Sequence, residues 1–161
     1  MTPHPQTLYS GKHLQLLCVG NWEYASRNKA SGAVAILAVT ALDEVLLIEQ
    51  FRPPVGKRVI ELPAGLVGDT EADAGATDPL LAGAKRELLE ETGYVAAQWE
   101  QVCHGPSSAG LSSEEITFFL ASELTSQGPA LGDGDEELVQ HCVPRADLLP
   151  WLATKQAHAD K

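Results

Sequence analysis

The chain is poor in the features that nucleic-acid or membrane partners demand. Basic residues are scarce: Lys plus Arg number 11 against 22 Asp plus Glu, for a net charge of -11. A nonspecific DNA binder or an anionic-membrane binder needs a basic face, so both classes are excluded. Apolar runs are short, and none approaches the roughly 18 residues of a membrane span. Met1 to Ser10 is polar and proline-bearing and lacks the apolar segment of a signal peptide, so the expectation is a cytoplasmic protein. Cysteine is sparse. Cys18, Cys103 and Cys142 form no CxxC pair, which suits a reducing compartment and offers no zinc spacing. The five histidines form no HExxH, and no GxxxxGK[ST] occurs, which excludes a P-loop nucleotidase. Internal repeats are also missing.

What is present describes one folded unit. The 161 residues are 44% hydrophobic and 20% charged, enough for a core and too little charge for wholesale disorder, so a single domain over 1–161 is expected. The charge is uneven. Residues 1–58 hold six basic and four acidic side chains, net +2, whereas 59–161 hold five and eighteen, net -13. Leu14 to Val19 and Trp22 to Ser26 read as strands joined by a Gly20-Asn21 hairpin turn. Ala33 to Thr40 and Val45 to Phe51 read as a second hairpin, and Val59 to Leu62 as a short strand stopped by Pro63. Asp78 is a natural N-cap, Pro79 suits the first helical position and Gly93 is a natural stop; between them Leu81, Ala84 and Leu88 recur at helical spacing. Val95 to Cys103, Ile116 to Ala121 and Leu138 to Val143 read as further strands, and Ala146 to Ala157 as a closing helix. The pattern predicts an α+β fold, an α/β/α sandwich with a mixed sheet.

The chemistry gathers on the central helix, in Arg86-Glu87-Leu88-Leu89-Glu90-Glu91-Thr92-Gly93-Tyr94. Glu87, Glu90 and Glu91 fall within one arc of about 100° on a helix. Like charges at i,i+4 cost helix stability, by about 0.2–0.5 kcal/mol for such a pair. A solvated acidic face is one reading. A hard-cation site is the other, because clustered oxygen ligands suit Mg²⁺ or Mn²⁺, which also bridge phosphates.

These residues resemble the Nudix box at every fixed position of its second half, and Gly65 followed after five residues by Glu71 resembles its start. Fourteen residues separate Glu71 from Arg86, twice the family's spacing, and the extra Ala72 to Asp78 is acidic and rich in small residues. Because Pro79 starts the helix, the insertion belongs to the loop before it. Either Glu71, at the family's distance from Gly65, or Asp78, at the family's distance from Arg86, fills the first carboxylate position. Glu49-Gln50-Phe51-Arg52-Pro53-Pro54, Glu61-Leu62-Pro63-Ala64-Gly65-Leu66, Trp22-Glu23-Tyr24 and Gly110-Leu111-Ser112 are similar to the ADP-ribose (ADP-sugar) pyrophosphatase branch. Ala109 stands where that branch commonly has proline.

The resemblance implies residue roles. Glu87, Glu90 and Glu91, with Glu71 and the Ala64 carbonyl, would hold two or three Mg²⁺ (or Mn²⁺) ions that neutralise the diphosphate. Arg86 would orient the glutamates through ion pairs. Trp22 would stack on adenine, and Arg27, Arg52, Gly110 and Leu111 would contact substrate. Glu136, or its neighbour Glu137, would activate the attacking water from the acidic stretch Asp133 to Glu137, whereas Glu114 and Glu115 would lie near the metals. A homodimer is implied, with strands in 1–30 in dimer contact. The activity implied is hydrolysis of ADP-ribose to AMP and ribose 5-phosphate. The alternatives are another nucleoside diphosphate derivative (an NDP-sugar or an oxidised nucleotide) or a non-catalytic nucleotide-sugar-binding regulator. Thirteen of the 22 acidic residues fall in Asp69 to Glu91, Glu114-Glu115 and Asp133 to Glu137, so the negative charge would serve as a cation trap and not as a barrier to phosphate.

Overall fold

The computed structural model describes residues 4–68, 76–130 and 137–159. Ten strands run in chain order: β1 (Gln6–Ser10), β2 (Leu14–Val19), β3 (Trp22–Arg27), β4 (Gly32–Ala38), β5 (Glu44–Arg52), β6 (Lys57–Glu61), β7 (Ala64–Val67), β8 (Tyr94–Pro106), β9 (Glu115–Ser126) and β10 (Val139–Pro144). Two α-helices join them, α1 (Pro79–Thr92) and α2 (Leu148–Ala159). The strands form three sheets: β1-β2-β3, β10-β5-β6 and β7-β4-β9-β8. The last is mixed, since β4 runs parallel to β9 and antiparallel to β7.

The α+β expectation holds, and β5 shows why the layers form. Leu46 faces a core built with Val34, Ile36, Val67, Ala84, Leu88 and Phe119, which seats α1. Val45 and Leu47 face the opposite way, into a cluster with Val143 that Leu148, Trp151 and Leu152 of α2 cover. A strand covered on both faces needs apolar residues at consecutive positions, as here.

The expected second hairpin is corrected. A turn over Thr40–Glu44 does reverse the chain, and Val39 bridges Val45. Beyond that bridge β4 and β5 part into different sheets, β4 pairing with β7 and β9, β5 with β6 and β10. Both strands are buried almost throughout, so each needs helices or sheets on both sides, which a two-stranded ribbon cannot supply. Strand β7, directly after Pro63, has no counterpart among the sequence expectations; four residues give too short a pattern to read.

Candidate active site

Helix α1 forms where its signals lie. Asp78 caps it, its side chain accepting the Leu81 N–H at 3.1 Å; Pro79 follows, and Gly93 ends it with φ 71° and an N–H donated to the Leu89 carbonyl. Burial of Ala84 and Leu88 sets the helix's rotation. Glu91 then stands at the margin of the apolar face, 9% exposed. The Glu87 and Glu90 side chains turn outward in order, at 12% and 38% exposure.

The turn after β6 meets these carboxylates. The Ala64 N–H donates to Glu91 Oε2 at 2.9 Å. A Cβ on Gly65 would overlap the Glu87 carboxylate, so only glycine allows this approach. Arg86 binds the two elements together. Its Nη1 lies 2.9 Å from Glu87 Oε1 and 3.0 Å from Glu90 Oε2, and its Nη2 donates to the Leu66 carbonyl at 2.9 Å. The guanidinium thus links Glu87 and Glu90 to the backbone of β7. The carboxylates line a cleft of about 240 Å³ together with Gln50, Arg52 and Leu138. Arg52 is held there by its Nε–Glu61 Oε2 pair at 2.8 Å.

Among the described residues, no three His, Cys, Asp or Glu side chains surround one ready-made ion position. Glu91 is engaged by the Ala64 N–H, and Glu87 and Glu90 by Arg86. The donor chemistry nevertheless fits a hard divalent cation: three carboxylates, all oxygen donors, line one cleft, Glu87 against a glycine that leaves space for it.

Other expected residues fall at varied distances from this cleft. Glu71 and Glu136 lie outside the described residues, as does most of the insertion. Asp78 is engaged as the helix cap and does not line the cleft. Glu137 is exposed; its carbonyl accepts Arg58 Nη2 at 3.1 Å, and its carboxylate lies 3.9 Å from Arg58 Nη1. Trp22 is 61% exposed at the hairpin end of β3 and does not line the cleft. Gly110 and Leu111 sit in the β8–β9 loop, which docks on β3 through an Ala25 N–H to Leu111 carbonyl bond of 2.9 Å. Arg27 pairs with Glu114, and Glu115 lies 3.2 Å from His104 Nε2; neither pair reaches the cleft lining.

Gln50, Leu66 and Leu138 line the cleft without a role assigned from sequence. The signal for Gln50 is a polar residue, 3% exposed, in a buried strand. Its Nε2 donates to Glu61 Oε2 at 3.2 Å, so Gln50 and Arg52 share one acceptor. Behind Leu138, Arg58 donates to Glu49 Oε1 at 2.9 Å while His141 Nε2 meets Glu49 Oε2 at 2.9 Å. The His141 hydrogen bond, with Arg58 adding to it, holds the Glu49 carboxyl below its ordinary 4.5 against the opposing effect of burial.

The chain is similar to known proteins. Residues 29–161 match the family model described as NUDIX domain. The chain is 36% identical over 131 residues to a methanol dehydrogenase activator of Bacillus methanolicus, across 81% of this chain and 67% of that protein. It is 34% identical over 126 residues to an ADP-ribose pyrophosphatase of Bacillus subtilis, across 74% of this chain and 64% of that protein. A mouse (Mus musculus) ADP-sugar pyrophosphatase is 33% identical over 135 residues, with 78% and 59% covered. The chain therefore spans between 59% and 67% of the length of these relatives. A solved structure described as an ADP compounds hydrolase superposes with a TM-score of 0.69 over 93% of this chain and 85% of that one, at 20% identity, a likeness of fold alone.

Proposed function

The chain belongs to the Nudix family, and from that premise we propose that it hydrolyses the diphosphate bond of ADP-ribose to AMP and ribose 5-phosphate. The observation that carries this proposal is that Glu87, Glu90, Glu91 and Arg52 line one cleft. Hard oxygen donors and a guanidinium in the same cleft together suit a diphosphate held partly through cations and partly directly. The relatives named for ADP-ribose and ADP-sugar hydrolysis support the same substrate class.

Glu87, Glu90 and Glu91, with Glu71 and the Ala64 carbonyl, would hold Mg²⁺ or Mn²⁺, two or three per site. When bound, such ions neutralise the diphosphate and lower the pKa of water. The chain's own residues do the rest. Arg86 keeps Glu87 and Glu90 aimed at the cleft, and the Ala64 N–H does so for Glu91. Gly65 keeps the floor open for the Glu87 carboxylate. Arg52, steadied by Glu61, binds substrate phosphate, and Glu136 or its neighbour Glu137 takes the proton of the attacking water. We further propose that 1–161 acts as one domain in a cytoplasmic homodimer, with the strands of 1–30 in the dimer contact and Trp22 stacking on adenine.

Incubating the protein with ADP-ribose and Mg²⁺ and following AMP release tests the activity. Glu87→Gln and Glu91→Gln are each expected to lower the rate at least about 100-fold, as loss of a metal ligand does. Near-normal rates in both variants would overturn the metal assignment. Ala109 favours a second substrate reading within the class, so NDP-sugars and oxidised nucleotides belong in the same assay. Binding of ADP-ribose with no turnover of any of these would leave the regulator reading in its place.

A further inference from the structure

The cleft has a neighbour with the opposite charge. A groove of about 300 Å³ is lined by Lys12, His13, Arg27, Lys29, Ala30 and Leu66. Leu66 also lines the cleft, so the two cavities share a wall residue one position from Gly65. No acidic side chain among the described residues lines the groove. Arg27 is paired with Glu114, whereas Lys12 and Lys29 have no ion pair among the described residues. In a chain of net charge -11, three of eleven basic residues thus face one cavity.

The arrangement is built into the backbone. Asn28 Nδ2 donates to the Gly11 carbonyl at 2.7 Å, and the Asn28 N–H donates to the His13 carbonyl at 3.0 Å. The Gly11 N–H closes the turn on the Leu14 carbonyl at 2.8 Å. These bonds clamp the β1–β2 turn, which carries Lys12 and His13, against the segment that carries Arg27 and Lys29. Clustered like charges repel, so a fold that holds them together without acids in the wall is set up for an anion.

We propose that this groove is a phosphate subsite for a second phosphate on the nucleoside half of the substrate, so that the site takes nucleoside diphosphate derivatives phosphorylated on the nucleoside ribose. Arg52 lines the cleft and not the groove, Arg27 lines the groove and not the cleft, and Leu66 lines both. In this proposal a diphosphate at Glu87 directs its nucleoside past Leu66 toward Arg27. Lys12 and Lys29 supply the mobile ammonium donors and His13 a ring nitrogen. The orientation rests on the hydrolase reading; binding of the anion does not.

Titration calorimetry of the native protein with AMP, adenosine 2′,5′-bisphosphate and adenosine 3′,5′-bisphosphate tests the subsite without turnover. At about 0.15 M salt, where the Debye length is near 8 Å, long-range attraction is screened and a contact site remains. One bisphosphate is expected to bind about tenfold tighter than AMP, equivalent to 1.4 kcal/mol. The Lys12→Ala/Lys29→Ala protein is expected to bring that ratio close to one, and Lys12→Arg/Lys29→Arg to retain it. Equal affinity of AMP and both bisphosphates for the native protein would overturn the subsite. So would a preference that survives in the double alanine variant. A bisphosphate preference in a protein that hydrolyses no diphosphate would keep the subsite and overturn the hydrolase reading; hydrolysis without the preference would do the reverse.

Discussion

Single residues decide how the cleft works. Gly65→Ala puts a methyl group where the Glu87 carboxylate lies, so Glu87 must leave its place or β7 must shift. The expected result is an activity loss of at least about 100-fold, because the carboxylate proposed as a metal ligand is displaced. Circular dichroism should show a folded protein, since the overlap is with a side-chain end. Glu49 has a different consequence. Its carboxyl is held below 4.5, chiefly by the His141 hydrogen bond, so the folded chain binds a proton there less readily than the unfolded chain. That stabilisation is complete above pH 4.5 and is lost as pH falls through the lowered value. His141→Phe removes the main cause. Native and variant melting temperatures are expected to differ near pH 6 and to draw together as pH falls below 4.5 and through the lowered value; a gap that widens on acidification would contradict the assignment.

Elements deliver those residues to the site. Helix α1 carries four box residues, and their aim depends on where the helix starts and stops. Asp78→Ala removes the bond to the Leu81 N–H and is expected to cost about 1 kcal/mol in denaturant unfolding. Gly93→Ala is expected to cost more, about 2 kcal/mol, because φ is 71° and a Cβ would overlap the Gly128 carbonyl. Equal stability of native and Gly93→Ala proteins would refute the reasoning. These caps were legible in sequence because capping is local chemistry over four residues. The parting of β4 and β5 was not. A turn flanked by two apolar strands reads the same whether the strands stay paired or diverge, and only the partners contributed by β6, β7, β9 and β10 decide it.

At the scale of the whole molecule, the NUDIX match begins at residue 29, just after β3 ends at Arg27. The β1-β2-β3 sheet thus precedes the matched span and exposes Leu8, Tyr9, Leu14, Leu16 and Trp22. Leu14, Leu16 and Tyr9 share one face and Trp22 lies on the other, and exposed apolar residues of this kind on a strongly acidic protein fit contact with a second copy. Light scattering is expected to report two chains, and Tyr9→Glu with Trp22→Glu to report one. A native mass of a single chain would sink the proposed dimer contact through the strands of 1–30. The negative charge also finds its place at this scale. The described carboxylates of α1 line the cleft, while Lys12, Arg27 and Lys29 line its neighbour, so charges of opposite sign are sorted into adjoining cavities.

The sequence by itself determined the central helix, its boundaries and the carboxylate arc. Each depends on residues within about one or two turns, where spacing translates directly into position. It also determined the fold class, through the box and the apolar pattern. Only the tertiary structure decided that Gly65 must lack a side chain for the sake of Glu87, that Gln50 and Arg52 share Glu61, and that Lys12 and Lys29 face one groove beside Leu66. Those pairs come from strands and turns distant in the chain, and their approach is set by sheet pairing and core packing, which no local spacing encodes.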